Sequence, residues 1–81
     1  MLKSLNRFIR NKDFYLNYWN NQININNFIE ILVLEDDKVV LSIPSGKLVV
    51  RGSNIMITKL LDNEILLTGD FSSIDIGDLN D

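Results

Sequence analysis

Cysteine and histidine are both absent from this chain of 81 residues. Without cysteine no disulfide can staple the fold, and without either residue a zinc-type site loses its ligands. Nucleophilic triads, thiol catalysis and imidazole acid–base chemistry lose their usual actors as well, so the chain is not expected to be an enzyme and calls for no cofactor. Long apolar runs are also missing: none approaches the ~18 residues of a spanning helix. Basic residues are scarce beyond the start. Lys3, Arg7, Arg10 and Lys12 stand against Asp13 in residues 1–13, a net +3, whereas residues 14–81 hold four bases against ten acids, a net −6. From Asp70 onward Asp70, Asp75, Asp78 and Asp81 stand with no base, so the C-terminal end is a poor partner for nucleic acid or anionic lipid.

What is present is a composition close to the globular average, 46% hydrophobic and 23% charged, which excludes wholesale disorder. A chain of 9.3 kDa builds a thin core. With the usual reinforcements missing, oligomerisation is the remaining one. No signal-peptide pattern is read at Met1-Leu2-Lys3, where Asn6, Arg7 and Arg10 interrupt any apolar stretch, and a cytoplasmic protein is the expectation.

Leu2, Leu5, Phe8 and Ile9 recur at three- and four-residue spacings between Lys3, Arg7 and Arg10, which predicts a short amphipathic helix over residues 2–10. Such a helix is too short to persist undocked. Eight asparagines follow between Asn6 and Asn27, a residue that favours turns over helix interiors. Asn20-Asn21 reads as a turn, with strands in Phe14 to Trp19 and Ile23 to Ile25, although the first also fits a helical continuation.

From Phe28 the β pattern strengthens. Glu30 to Glu35 and Lys38 to Ile43 are strand-length segments separated by Asp36-Asp37, which makes a hairpin. Pro44-Ser45-Gly46 connects tightly into Lys47 to Arg51, and Gly52-Ser53-Asn54 reads as the next turn, into Ile55 to Lys59. Glu64 to Thr68 follows, and Gly69-Asp70 either turns the chain or bulges a strand running on to Ile76. Gly46, Gly52 and Gly69 are therefore the expected turn-forming residues. The fold class is mainly β: a small antiparallel meander or roll with a short N-terminal amphipathic helix. Residues 1–27 are a helix and Asn-rich lead-in, and 28–81 the β domain. Ile31 and Val33 against Leu32 and Leu34 make one strand apolar on both faces, so each face wants cover.

Chemistry-bearing patterns are few. Glu35, Asp36 and Asp37 sit at a turn where acids are simply solvated, and Asp70, Asp75, Asp78 and Asp81 match no calcium loop. Pro44-Ser45-Gly46-Lys47 lacks the earlier Gly, the following Ser or Thr and the helix of a phosphate loop. A surface contact is the remaining candidate: Lys3, Arg7, Arg10 and Trp19, with Phe8, Phe14, Tyr15 and Tyr18 nearby, form a basic aromatic head. Such a head suits a membrane or partner surface, or nucleic acid, which is disfavoured; the competing reading packs Leu5, Phe8 and Ile9 on the sheet.

From Phe28 to Ile76 the chain resembles the YabP/YqfC family of small sporulation proteins of endospore-forming bacteria. The resemblance rests on Ile29-Glu30-Ile31-Leu32, Val39-Val40-Leu41, Gly46-Lys47-Leu48-Val49-Val50-Arg51-Gly52, Ile55-Met56-Ile57 and Leu60 to Gly69. It closes on Gly69-Asp70-Phe71-Ser72-Ser73-Ile74, which is similar to the family's G-x-x-x-S-I ending. It implies a non-enzymatic protein of the mother-cell cytoplasm, at the forespore surface, acting in spore envelope (coat and cortex) development. Its expected partner is a second copy or another sporulation protein. A membrane-surface or nucleic-acid adaptor working through the basic head is the alternative.

Overall fold

The structure is a computed structural model and describes residues 8–10, 14–44 and 46–77. They form seven strands: β1 (Phe8–Arg10), β2 (Tyr15–Trp19), β3 (Gln22–Asn26), β4 (Glu30–Leu34), β5 (Lys38–Ile43), β6 (Gly46–Leu60) and β7 (Glu64–Gly77). All strand pairs are antiparallel, in the order β1-β2-β3-β7-β6-β5-β4. The described residues are thus mainly β, as expected. The helix expected over residues 2–10 falls mostly outside them, and its last three residues are β1, paired with Tyr15 to Asn17.

The local chemistry of the hairpins follows from their turn residues. Asn20 and Asn21 both carry positive φ, 56° and 60°, between the paired Trp19 and Gln22. Two consecutive left-handed residues match the right-handed twist of the flanking strands, and Asn tolerates that region better than most residues. Asp36-Asp37 turns β4 into β5, with the Glu35 N–H donating to the Lys38 carbonyl at 2.9 Å. Gly46 opens β6 opposite Ile43 with φ +152°.

The shape of the molecule is set by the β6–β7 hairpin and a three-residue link. Asn26, the end of β3, pairs with Glu64 at the loop end of that hairpin. Glu30, the start of β4, pairs with Ser42, which stands in the row of Lys47 and Gly77 at the far end. A straight hairpin of this length would separate those rows by about 40 Å, yet residues 27–29 span at most about 14 Å. The hairpin must therefore fold on itself, and the largest extent of the molecule, 26 Å, agrees.

Register shifts at Arg51/Gly52, Ser53/Met56 and Ile57/Lys59 make the bend. Each shift leaves residues unopposed and sharpens the local twist. Beyond the bend, β7 carries β3, β2 and β1; before it, β6 carries β5 and β4. Two hairpin turns clasp the fold point: the N–H groups of Ile55 and Gly52 donate to Asp36 and Asp37 carbonyls at 2.8 and 3.1 Å, and that of Gly69 to Asn21 at 3.2 Å.

The two wings close on one core. Leu16, Ile23, Ile25, Ile65 and Leu67 come from one wing and Val39, Leu41, Ile43, Leu48 and Val50 from the other, all essentially inaccessible to water. Ile55 and Phe71 fill the bend, where Tyr18 meets Phe71 edge to face at 6.1 Å. Each such side chain contributes roughly 1.5–3 kcal/mol by leaving water. Phe14, Leu16, Ile23 and Ile25, in the stretch read from sequence as a lead-in, are part of this core.

The turn assignment of Gly52 needs correction, and of the two readings of Gly69-Asp70 the turn gives way to the bulged strand that runs on. Gly52 lies inside β6 and Gly69 inside β7, which runs unbroken to Gly77. The residue with positive φ in the segment read as a turn is Asn54, at 55°. A Cβ on Gly52 would collide with the Asp70 carbonyl oxygen and lie 2.9 Å from the Phe71 Cα, whereas one on Gly69 would lie 3.0 Å from the Asn54 oxygen and the Ile55 Cα. These glycines serve close approach of two backbones rather than reversal of the chain.

Candidate interaction surface

Folding the sheet in two leaves strand edges without partners. β4 is last in the sheet order, and beyond the bend the outer edge of β6, from Met56 to Leu60, pairs with nothing among the described residues. β4 runs from the hairpin loop towards the bend, where Asp36 binds Ile55, and this half of β6 runs back from the bend to the loop. The two free edges therefore border one open side of the molecule.

An open cleft of about 730 Å³ lies there, lined by Phe28, Ile31, Leu60, Leu61, Asp62 and Asn63. Its ends are pinned by backbone bonds: Asn27 N–H to the Asn63 carbonyl at 2.6 Å, Ile29 N–H to Ser42 at 2.7 Å and Leu61 N–H to Glu64 at 2.8 Å. Large apolar side chains are exposed along the two edges, with Ile29 58% and Leu34 54% accessible, and Leu32, Met56, Leu60 and Leu61 comparably so. Unpaired edges beside exposed aliphatic side chains are what a protein ordinarily hides. The Ile31/Val33 bulge in β4, the Ile57/Lys59 register shift in β6 and the charges of Glu30 and Lys59 blunt these edges in part.

The outer face of the wing that holds β2 and β3 mixes asparagines and Glu64 with exposed apolar side chains such as Trp19. The register aligns Tyr15 with Asn26 and Glu64, and Asn17 with Asn24 and Leu66. Asn24 Nδ2 donates to Glu64 Oε2 at 2.9 Å, and Lys59 Nζ lies 3.6 Å from the same oxygen. Chiefly through the Asn24 hydrogen bond and then the Lys59 charge, against some desolvation, the Glu64 carboxyl is held below its ordinary pKa.

Among the described residues no three His, Cys, Asp or Glu side chains converge, and no buried side-chain polar atom lacks a partner. No helix there is long and apolar enough to cross a membrane. Of the residues singled out as a surface contact, Lys3 and Arg7 lie outside the described residues and Arg10 ends β1. Trp19, at the end of β2, is 65% accessible. It aligns through Gln22 and Thr68 with exposed Met56, across the same wing. The cleft itself was not singled out, although the two-faced apolar pattern of Ile31 to Leu34 was its signal.

A folded-over antiparallel sheet with free strand edges among the described residues and an open cleft beside them defines a small β protein. The chain belongs to the YabP family, whose model matches residues 18–80. That membership suggests a small sporulation-related protein. No curated protein matches the chain, and no solved structure matches it.

Proposed function

We propose that this chain is a non-enzymatic sporulation protein that acts by self-association or by binding another protein during development of the spore envelope. Its place is the mother-cell cytoplasm, at the forespore surface. The observation that carries the reading is the open cleft and the free edges beside it, where Ile29, Leu32, Leu34, Leu60 and Leu61 expose apolar surface. Covering those side chains with a partner removes apolar area from water, and pairing the edges satisfies their backbone groups.

The test is a double substitution, Leu60→Lys with Leu61→Lys, in a fluorescently tagged copy followed in the native host from growth into sporulation. The reading expects the unsubstituted protein to appear in the mother cell and gather around the forespore, and the variant to stay diffuse while melting like its parent. Signal throughout vegetative growth, or a variant that still gathers, refutes it.

A further inference from the structure

The free edge of β4 is apolar in its middle and acidic at both ends. Glu30, Leu32 and Leu34 are exposed, whereas Ile31 packs against the core and lines the cleft. The Glu35 N–H donates to the Lys38 carbonyl, and hydrogen-bonded pairs alternate with unbonded ones along an antiparallel ladder. Leu34 opposite Val39 is therefore an unbonded pair, and its N–H and C=O point away from β5 into the open side. Glu30 stands at the start of the strand, Glu35, Asp36 and Asp37 follow its end, and Asp62 stands in the cleft wall. All five acids are exposed and make no ion pair among the described residues. Lys59, on the facing edge, is taken up by Glu64.

Pairing this edge with the same edge of a second copy would bring acid against acid. Two other described bases, Lys47 and Arg51, sit where β6 is paired on both sides, by β5 and β7, and so form no edge that could match it. We propose that β4 takes up an extended segment of a different protein, with aliphatic side chains in its middle and lysine or arginine at both ends, as a further strand of the sheet. The proposal rests on the association reading above and adds the chemistry of the partner. Strand addition gains affinity from main-chain hydrogen bonds and specificity from alternate side chains. One set of the added side chains would lie over the cleft beside Phe28, Leu60 and Leu61, and the other beside the exposed Leu32 and Leu34. The basic ends would meet Glu30 and the Glu35 to Asp37 turn, while an acidic segment would be repelled. Surface charges attract over about 8 Å in physiological salt and about 3 Å at 1 M, so binding should weaken with added salt.

The experiment follows the fluorescence anisotropy of labelled peptides titrated with the full chain at low and high salt. The first peptide alternates valine and threonine between paired lysines at each end, and the second carries glutamates in place of the lysines. The third is the lysine peptide with every central amide N-methylated, which keeps its charge and side chains but cannot donate to a strand. The lysine peptide is expected to bind saturably and less tightly as salt rises, and the other two to stay free. Glu30→Lys with Glu35→Lys, both at exposed positions, should melt like the parent, bind the lysine peptide on the order of tenfold or more weaker, and take up the glutamate peptide. A methylated peptide that binds as tightly as the unmethylated one, or an edge variant that binds like the parent, overturns the proposal. A parent that forms oligomers which the edge variant dissolves gives this edge to a second copy and overturns the partner assignment, leaving the association reading standing. No binding of the lysine peptide by a chain whose tagged copy gathers around the forespore overturns strand addition alone. Binding of it by a chain whose tagged copy is spread through vegetative growth supports strand addition and refutes the sporulation reading.

Discussion

Replacing Gly52 with alanine should be among the most damaging single changes available outside the core. The new methyl would drive into the Asp70 carbonyl oxygen and stand 2.9 Å from the Phe71 Cα and 3.0 Å from the Asp70 carbonyl carbon. All three are main-chain atoms of β7, which cannot swing aside as a side-chain tip would. Over-packing costs about 1–3 kcal/mol where neighbours can adjust, so the upper figure applies here. A domain of this length is stable by roughly 4–12 kcal/mol, and each kcal/mol lost lowers the midpoint by about 4–8 °C. Gly52→Ala should therefore melt about 12–24 °C below the parent by circular dichroism, with exposed Ser72→Ala as a control near zero. Gly52→Asn separates the physical causes. If the glycine served a left-handed turn, Asn would be tolerated; if it serves backbone contact, Asn is at least as harmful as Ala. A Gly52→Ala melt within about 2 °C of the parent, or an Asn variant better than the Ala one, refutes the reasoning.

Leu67 is fully buried on the strand that joins both wings, and Leu67→Ala should cost about 2–5 kcal/mol in urea denaturation. Asn21, at φ 60°, should accept glycine with little change, whereas Asn21→Val should lose about 1–2 kcal/mol by the same measurement. Because the Glu64 carboxyl is held below its ordinary value of 4.5 in the folded state, its contribution is present above that value and lost as pH falls through the depressed one. Glu64→Gln should therefore flatten the acid side of a plot of urea midpoint against pH; an unchanged slope would rule out the Asn24 and Lys59 contacts as its source.

Sequence reasoning recovered most strands because their cues are local. Alternation marked Ile23 to Ile25, the Asp36-Asp37 turn separated β4 from β5 with bounds within a residue of those observed, and Asn20-Asn21 carried its own turn chemistry. It failed where glycine answers to a distant neighbour. Nothing local distinguishes a Gly52 that reverses the chain from one pressed against residues 70 and 71, since the partner strand is named only by the tertiary fold. The basic start was given helical spacing by Leu2, Leu5, Phe8 and Ile9, and only Phe8–Arg10 of it is described, as a strand. The cleft was half legible. Apolar residues on both faces of β4 announced that something must cover it, but its other wall, Leu60 and Leu61, arrives by way of the bend.

The pairing of β3 with β7 also has a consequence in time. Gln22 and Thr68 are neighbours in the sheet although 46 positions apart in the chain, and such distant contacts are made only after the entropy of a long loop has been surrendered. During synthesis β1 to β3 and β4 to β6 come out first as two separate pieces, each with a water-facing apolar side, and no local contact can join them. The last strand made is the one that unites them. Folding should therefore be slow and end in a single cooperative step, and a nascent chain cut short before Thr68 should be insoluble rather than partly folded.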